Sequence, residues 1–266
     1  MANKHQLSAE QIQSFLDDGY LIVPHLFDQE EADLLLAAAQ ADPMMKDHTL
    51  DVDDRSGRNS QITVWNHPRN DIWGMVSCSH RMVDAMEAML GGEVYHYHSK
   101  LLYKKPEVGG AWEWHQDYPP WHTIDGMAEP RCIMASVFID DCTAVTSPLL
   151  VAPGSHRHGL LDSKPHEDAT GKGYELHHID HATLERLAED AGLEALIGPA
   201  GSVALVHCNL VHGSANNVSP WRRAMMYLIY NAVSNACTGT ERPWYHNNRD
   251  FTPLEPLDEQ CLKALG

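Results

Sequence analysis

Positive charge is what this sequence has least of. Lys and Arg total 19 against 37 Asp and Glu, a formal charge of −18 with the 18 histidines neutral. Such a surface repels phosphate backbones and anionic headgroups, so neither nucleic acid nor a membrane is an expected partner. No apolar run approaches the roughly 18 residues of a membrane span. The opening MANKHQLSAEQIQ has no stretch of signal-peptide length. A cytoplasmic protein is the expectation. The six cysteines (78, 132, 142, 208, 237 and 261) never fall in C-x-x-C spacing, which speaks against a zinc ribbon or a disulfide frame and for reduced, buried thiols. Internal repeats, low-complexity tracts and linkers are also missing. With 266 residues, 43% of them hydrophobic, the chain reads as one packed domain over 1–266.

Local signals come in two textures. In the first third, Ser8 and Gln11 form a capping box ahead of Ile12, Phe15 and Leu16, and Gly19 stops that helix. LIVPHLF (21–27) reads as an edge strand because of its proline. Asp28 caps a second helix in QEEADLLLAAAQAD. Residues 43–60, with Asp51, Asp53 and Asp54, read as a solvated loop and candidate lid, and 60–67 as a strand. Helical periodicity runs through 71–90 to Gly91-Gly92. After residue 92, strand-like runs follow one another: EVYHYHSKLLYKK, CIMASVFID, SPLLVAP, GSVALVHC and AMMYLIYNAV. A polar stretch and the helical ATLERLAEDAGLEAL interrupt them between 162 and 197. The pattern predicts a mostly β sandwich or jelly roll with flanking N-terminal helices.

Three H-x-D triplets occur, at 115–117, 166–168 and 178–180, close to what chance gives for 18 histidines and 21 aspartates. Context separates them. The second and third lie in a polar stretch, whereas His115-Gln116-Asp117 sits among Trp112, Trp114, Tyr118 and Trp121. Alternation along a strand puts His115 and Asp117 on one face. Two imidazoles and a carboxylate are the facial set of non-haem Fe(II) oxygenases. A third ligand is therefore sought elsewhere: His212, with His207 as competitor in the same segment. Arg223 lies eleven residues after His212, suited to clamp a carboxylate bidentately. From spacing alone the metal site stays open.

The motifs W-H-Q-D (114–117), P-G-S-H (153–156) and H-G-S (212–214), with Arg223 and an N-terminal D-G-Y (18–20), resemble the phytanoyl-CoA dioxygenase family of Fe(II)/2-oxoglutarate oxygenases. Within it, WHQDYPPWHTIDGM is similar to the ectoine hydroxylase and free-leucine hydroxylase branch. The resemblance implies a cupin-like double-stranded β-helix, with Fe(II) on His115, Asp117 and His212 as metal-binding and catalytic residues. It implies 2-oxoglutarate and O2 as co-substrates, with Arg223, Ser214 and Lys100 toward 2-oxoglutarate and Trp121, Tyr118 and His98 toward substrate. It implies hydroxylation of a small polar molecule, amino-acid- or betaine-like, with a cationic nitrogen on the aromatic faces of Tyr118, Trp121 and Trp221. An intact Asp117 argues for hydroxylation over halogenation. Desaturation or cyclisation, a larger acyl or peptidyl substrate, and a non-catalytic cupin-like binding protein are the alternatives. A monomer or homodimer is expected. His98 and Lys100 stand where that branch has Gln and Arg, Leu102 where it has Asn, and Thr146-Ser147 where it has Asn-Gly.

Overall fold

Helix α1 (Ala9–Asp18) starts at Ser8, whose Oγ accepts from the Gln11 amide while Gln11 Oε1 accepts from the Ser8 amide. Gly19 ends it at φ 80°. After β1 (Tyr20–Val23), Asp28 and Glu31 form the same reciprocal cap on α2 (Gln29–Ala41). The molecule is described by a computed structural model covering residues 6–43, 49–54, 56–65, 71–165, 177–258 and 260–265. The remaining elements are β2 (Leu50–Asp53), β3 (Asn59–Trp65), α3 (Ile72–Cys78), α4 (His80–Leu90), β4 (Val94–Lys104), β5 (Trp112–Gln116), α5 (Tyr118–Thr123), β6 (Cys132–Phe138), β7 (Leu149–Val151), β8 (Ser163–Pro165), β9 (His177–Ile179), α6 (His181–Ala191), β10 (Glu194–Leu196), β11 (Val203–His207), β12 (His212–Ser214) and β13 (Arg223–Ala232).

Two antiparallel sheets face each other. The larger runs β1-β11-β6-β13-β4-β3-β2, and the smaller β10-β7-β12-β5-β9-β8. This is the double-stranded β-helix. Alternation divides the larger sheet's side chains. Met225, Tyr227 and Ile229 of β13 pack between the sheets, with Leu102, Met134 and Val206. Ala224, Met226, Leu228 and Tyr230 pack on the outer side against Phe15, Leu35, Val76 and Met82 of the helices. Both faces being covered, β13 is buried along its whole length, and its sequence is a continuous apolar run. The N-terminal helices are thus the lid on a sheet that would otherwise expose a hydrophobic face.

Three expectations need correction. Residues 50–53 are a strand paired with β3, and Asp54 is not merely solvated: its carboxylate accepts from the amides of Ser56, Arg58 and Ala111. Residues 44–48 and 166–176 lie outside the described residues. The helix expected over 71–90 breaks at Ser79, which is extended (φ −61°, ψ 144°). There the Leu257 amide donates to the Cys78 carbonyl and the Leu257 carbonyl accepts from His80, so tertiary pairing replaces helical bonds. The helix expected through 197 stops at Ala191, and 194–196 pair with β7 instead. Pro24 falls just past β1, which pairs with β11 alone, as an edge strand should.

Arg81 and Glu31 form a buried ion pair beneath the helices, both about 95% shielded or more, with a second Arg81 bond to the Leu26 carbonyl at 2.9 Å. Arg81→Met strands a buried carboxylate and should cost about 3–5 kcal/mol in urea unfolding. Arg81→Met/Glu31→Met should recover most of that loss.

Candidate active site

Strands β5 and β12 pair so that His115 lies directly opposite His212. Their rings are 4.2 Å apart, centroid to centroid. The approach demands glycine at 213, where a β carbon would meet the Trp112 carbonyl at 2.9 Å. Asp117 follows β5 at the N-cap position of α5 but caps nothing. The reason is in the sequence. N-cap side chains bond the second and third helical amides, and here those residues are Pro119 and Pro120, which have no N–H. The carboxylate is left to turn toward the histidines. Its Oδ1 is 3.9 Å from His115 Nε2 and its Oδ2 is 3.8 Å from His212 Nε2. One donor atom from each residue lies within 4.8 Å of the others.

Electrostatics suit a cation. His115 Nδ1 donates to the Glu113 carbonyl at 2.6 Å and His212 Nδ1 to the Leu210 carbonyl at 2.9 Å. In both cases the acceptor is two residues back. Each bond leaves the Nε2 lone pair facing the centre. Burial, then the neighbouring His212, lowers the His115 pKa to about 3. Burial acts to raise Asp117, but Lys100, His212, His115 and Arg242 outweigh it and hold the carboxyl below its ordinary value. Two imidazoles and a carboxylate result, the donor set for iron(II) with coordination positions left open. Gln116, on the opposite side of β5, ties the surrounding loops through Asn209 O, Gly159 O and the Leu161 amide.

A cavity of ≈ 410 Å³ opens from these three residues and is also lined by Lys100, Ser214 and Tyr227. Beside it, Arg223 of β13 sits opposite Lys104 of β4. Arg223 is 1% exposed. Its Nη2 donates to Tyr227 Oη at 3.1 Å, while Nε and Nη1 have no acceptor among the described residues. Lys104 is fully buried. Its Nζ donates to Ser214 Oγ (2.8 Å), Ser147 Oγ (2.9 Å) and the Ala215 carbonyl (2.8 Å). Burial, then the Arg223 charge, lowers its pKa to about 6, against a small opposing pull from Asp54. When Lys104 is charged, Ser214 Oγ is an acceptor, and the Ser214 O–H has no acceptor among the described residues. Unpaired guanidinium donors and a spare hydroxyl, all buried, are the surroundings an anionic carboxylate requires.

Other expected residues divide. Lys100 Nζ lies 3.8 Å from Asp117 Oδ1 and 5.7 Å from the Trp121 ring centre. Trp121 and His98 stand one layer behind it, ring centres 5.5 Å apart, and neither lines the cavity. Both His98 nitrogens lack a hydrogen-bond partner among the described residues. Burial, then Lys100, His246 and Arg242, holds that ring neutral, its pKa well below the usual range. Tyr118 is corrected: its hydroxyl is spent on the carbonyls of Met127 and Ala128, so it fixes the 124–128 turn and does not reach the cavity. Trp221 is 62% exposed, on an outer groove with Asp140, Asp141 and Arg222. Arg222 is bound by the Asp140 carboxylate, as alternation against Arg223 requires. His207 packs on His156 and Phe15, away from the metal donors, which leaves His212. His178 pairs with Glu113 at 2.8 Å, and Asp180 caps α6. Lys104 was missed by sequence reading, although positions 98, 100, 102 and 104 share one face of β4. So was Arg242, which binds Asp125 at 2.8 Å.

Residues 15–225 match the phytanoyl-CoA dioxygenase (PhyH) family. The chain belongs to that family. It is an iron(II)- and 2-oxoglutarate-dependent dioxygenase. Among characterised relatives, it is 34% identical to the ectoine dioxygenase of Sphingopyxis alaskensis, covering 91% of this chain and 83% of that one. It is 32% identical to the L-proline trans-4-hydroxylase of Streptomyces griseoviridis, covering 92% and 94%. Among solved structures, EctD from S. alaskensis with 2-oxoglutarate and 5-hydroxyectoine superposes with TM-score 0.79 at 32% identity, over 97% of this chain and 90% of that one. The same protein has been solved with bound Fe.

His115→Ala, Asp117→Ala and His212→Ala should each lose stoichiometric iron(II) while keeping the folded circular dichroism spectrum. His207→Ala should keep iron. Pro119→Ala/Pro120→Ala restores two amides that can capture Asp117, and should weaken iron binding with little change in melting temperature. Metal titration under anaerobic conditions reads all of these.

Proposed function

We propose that this chain, as one catalytic domain over 1–266, hydroxylates an unactivated C–H bond of a small free amino acid or related zwitterion, with release of succinate and CO2. One observation carries the reading. Three metal-donor atoms within 4.8 Å of each other open onto the cavity that also reaches Ser214, the residue tied to Lys104 beside Arg223, whose Nε and Nη1 have no acceptor among the described residues. His115, Asp117 and His212 would hold iron(II), which supplies oxygen activation and oxidising power when bound. The protein's own residues do the rest. Arg223 and Ser214 would take the distal carboxylate of 2-oxoglutarate, with Lys104 behind Ser214. Apolar Ile62, Leu102 and Met134 exclude water along the cavity wall. Lys100 faces the same Asp117 oxygen as His115, 3.8 Å from Oδ1.

The substrate's orientation differs from the sequence expectation. The Trp121 face already carries the Lys100 ammonium, and Tyr118 is turned away. Neither of these two expected aromatic faces is open to a cationic nitrogen. Lys100 and Arg242, whose positive charges both act on His98, favour the substrate's carboxylate instead. Trp121 then serves by orienting Lys100, with His98 packed edge-on against it one layer behind the cavity. The related proteins act on ectoine and L-proline by their names, and both molecules are carboxylate-bearing zwitterions. Five buried free thiols fit a reducing cytoplasm, and no helix among the described residues is long and apolar enough to cross a membrane. Monomer and homodimer are both compatible with this site, since every group named comes from one chain.

A screen of free amino acids and betaines for substrate-dependent succinate formation, beside matched acyl-CoA thioesters, tests the substrate class. Turnover of thioesters alone would sink it. Arg223→Leu should weaken 2-oxoglutarate binding by roughly 2–5 kcal/mol, about thirty-fold to several thousand-fold, and Arg222→Leu should change it little. Lys104 gives a pH signature. Below pH about 6 it is charged in the free protein, and above that it is neutral. A bound carboxylate favours the charged form, so binding above pH 6 takes up a proton and weakens as pH rises toward 9. Calorimetry in two buffers of different ionisation enthalpy measures that proton; equal heats would show that none moves.

A further inference from the structure

Ser147 occupies a backbone conformation that serine rarely takes, with φ +64°. Left-handed backbone is unfavourable for a residue with a β carbon. The side chain is 2% exposed, so solvent does not compensate. What it gains is a place in a closed set of hydrogen bonds. Ser147 Oγ accepts from Lys104 Nζ at 2.9 Å and donates to the Ala215 carbonyl, which also accepts from Lys104 at 2.8 Å.

We infer that Ser147 is a positioning residue for 2-oxoglutarate: its hydroxyl fixes Lys104, and Lys104 in turn aims the Ser214 hydroxyl at the distal carboxylate. The inference rests on the reading of Arg223 and Ser214 as the carboxylate site. Its logic is a donor count. Charged Lys104 has three N–H bonds and three acceptors: Ser147, Ser214 and Ala215. With all three engaged, the ammonium cannot swing, and Ser214 Oγ must accept, which turns its own O–H toward the cavity. Without the Ser147 hydroxyl, one ammonium N–H loses its acceptor in a buried site, and nothing else among the described residues lies within bonding distance of Nζ to replace it. Lys104 then shifts, and the Ser214 donor loses its direction. A backbone strain kept beside a ligand site is the ordinary mark of such a role.

The test uses Ser147→Gly and Ser147→Ala in the full-length iron(II) protein. Glycine relieves the φ +64° strain while removing the hydroxyl; alanine removes the hydroxyl and keeps the strain. Anaerobic calorimetry with 2-oxoglutarate should show both variants about tenfold weaker than wild type, with iron affinity retained and the Gly variant melting no lower. In turnover, the deficit should appear in the KM for 2-oxoglutarate and vanish at saturation. A purely structural Ser147 gives the opposite pattern: Ser147→Gly melts higher and binds 2-oxoglutarate as wild type does. That result, with Arg223→Leu still impaired, overturns the Ser147 inference alone. If Arg223→Leu binds 2-oxoglutarate normally, the carboxylate site itself is wrong, and the inference fails with it.

Discussion

Everything at this site depends on one cross-strand pair. His115 and His212 are opposite partners on neighbouring antiparallel strands, and opposite residues carry their β carbons about 4.5–5.5 Å apart. That spacing sets both imidazoles within reach of one ion without any loop having to be held in place. A one-residue slip of β12 would turn His212 to the other face and bring Val211 or Gly213 opposite His115. The carbonyls that fix the two tautomers, Glu113 O and Leu210 O, lie next to this pair, so the pairing that sets position also sets which nitrogen is free. The third donor needs only the strand to end and the next helix to be unable to use the carboxylate, which Pro119 and Pro120 ensure.

The charge distribution inverts between surface and interior. A chain of net charge −18 carries Lys100, Lys104 and Arg223 nearly or fully buried within the same region. Buried cations short of anions are costly: Asp117 faces two histidines, and burial with the Arg223 charge already lowers the Lys104 pKa to about 6. The arrangement makes sense only with further negative charge bound. A dianionic co-substrate supplies it, and an acidic exterior means that attraction comes from this interior rather than from long-range steering. Specificity for a small anion follows: a polyanion meets the repulsive surface before it meets the basic interior.

The fold class and the strand runs after residue 92 were legible in the sequence because they rest on short-range rules, alternation and turn signals; spacing alone left the metal donors open, and the resemblance of the W-H-Q-D and H-G-S motifs named them. Alternation sends one of Arg222 and Arg223 inward and the other outward, and the spacing of the resembled motif picks Arg223 as the inward one. What could not be read were effects set by tertiary partners. The helix over 71–90 has unbroken periodicity, yet Leu257, nearly 180 positions downstream, competes for the Ser79 region's hydrogen bonds and wins. Tyr118 and Trp121 sit in the right segment, but a side chain's direction past a strand end follows from the helix that begins there and from which carbonyls accept its hydroxyl. Lys104 reads as an ordinary strand lysine. Only the fold reveals that Ser147, Ser214 and Ala215 converge on it from two distant segments.

That convergence has a mechanical consequence. The metal donors belong to the smaller sheet, through β5 and β12. Arg223, Lys104, Lys100 and Tyr227 belong to the larger one, through β13 and β4. A co-substrate that chelates iron at one end and meets Arg223 at the other therefore spans the sandwich. The spacing it needs is the inter-sheet distance, set by Leu102, Met134, Leu149 and Met225 packed between. Lys104 is the polar counterpart of that packing, since its bonds to Ser214 and Ala215 tie the larger sheet to the end of β12. Hydrophobic burial between the sheets is non-directional and tolerates small slides. The lysine bonds are directional and do not. The apolar core thus brings the two sheets together, and the Lys104 network fixes where along each other they stop, which is the register that the co-substrate must match.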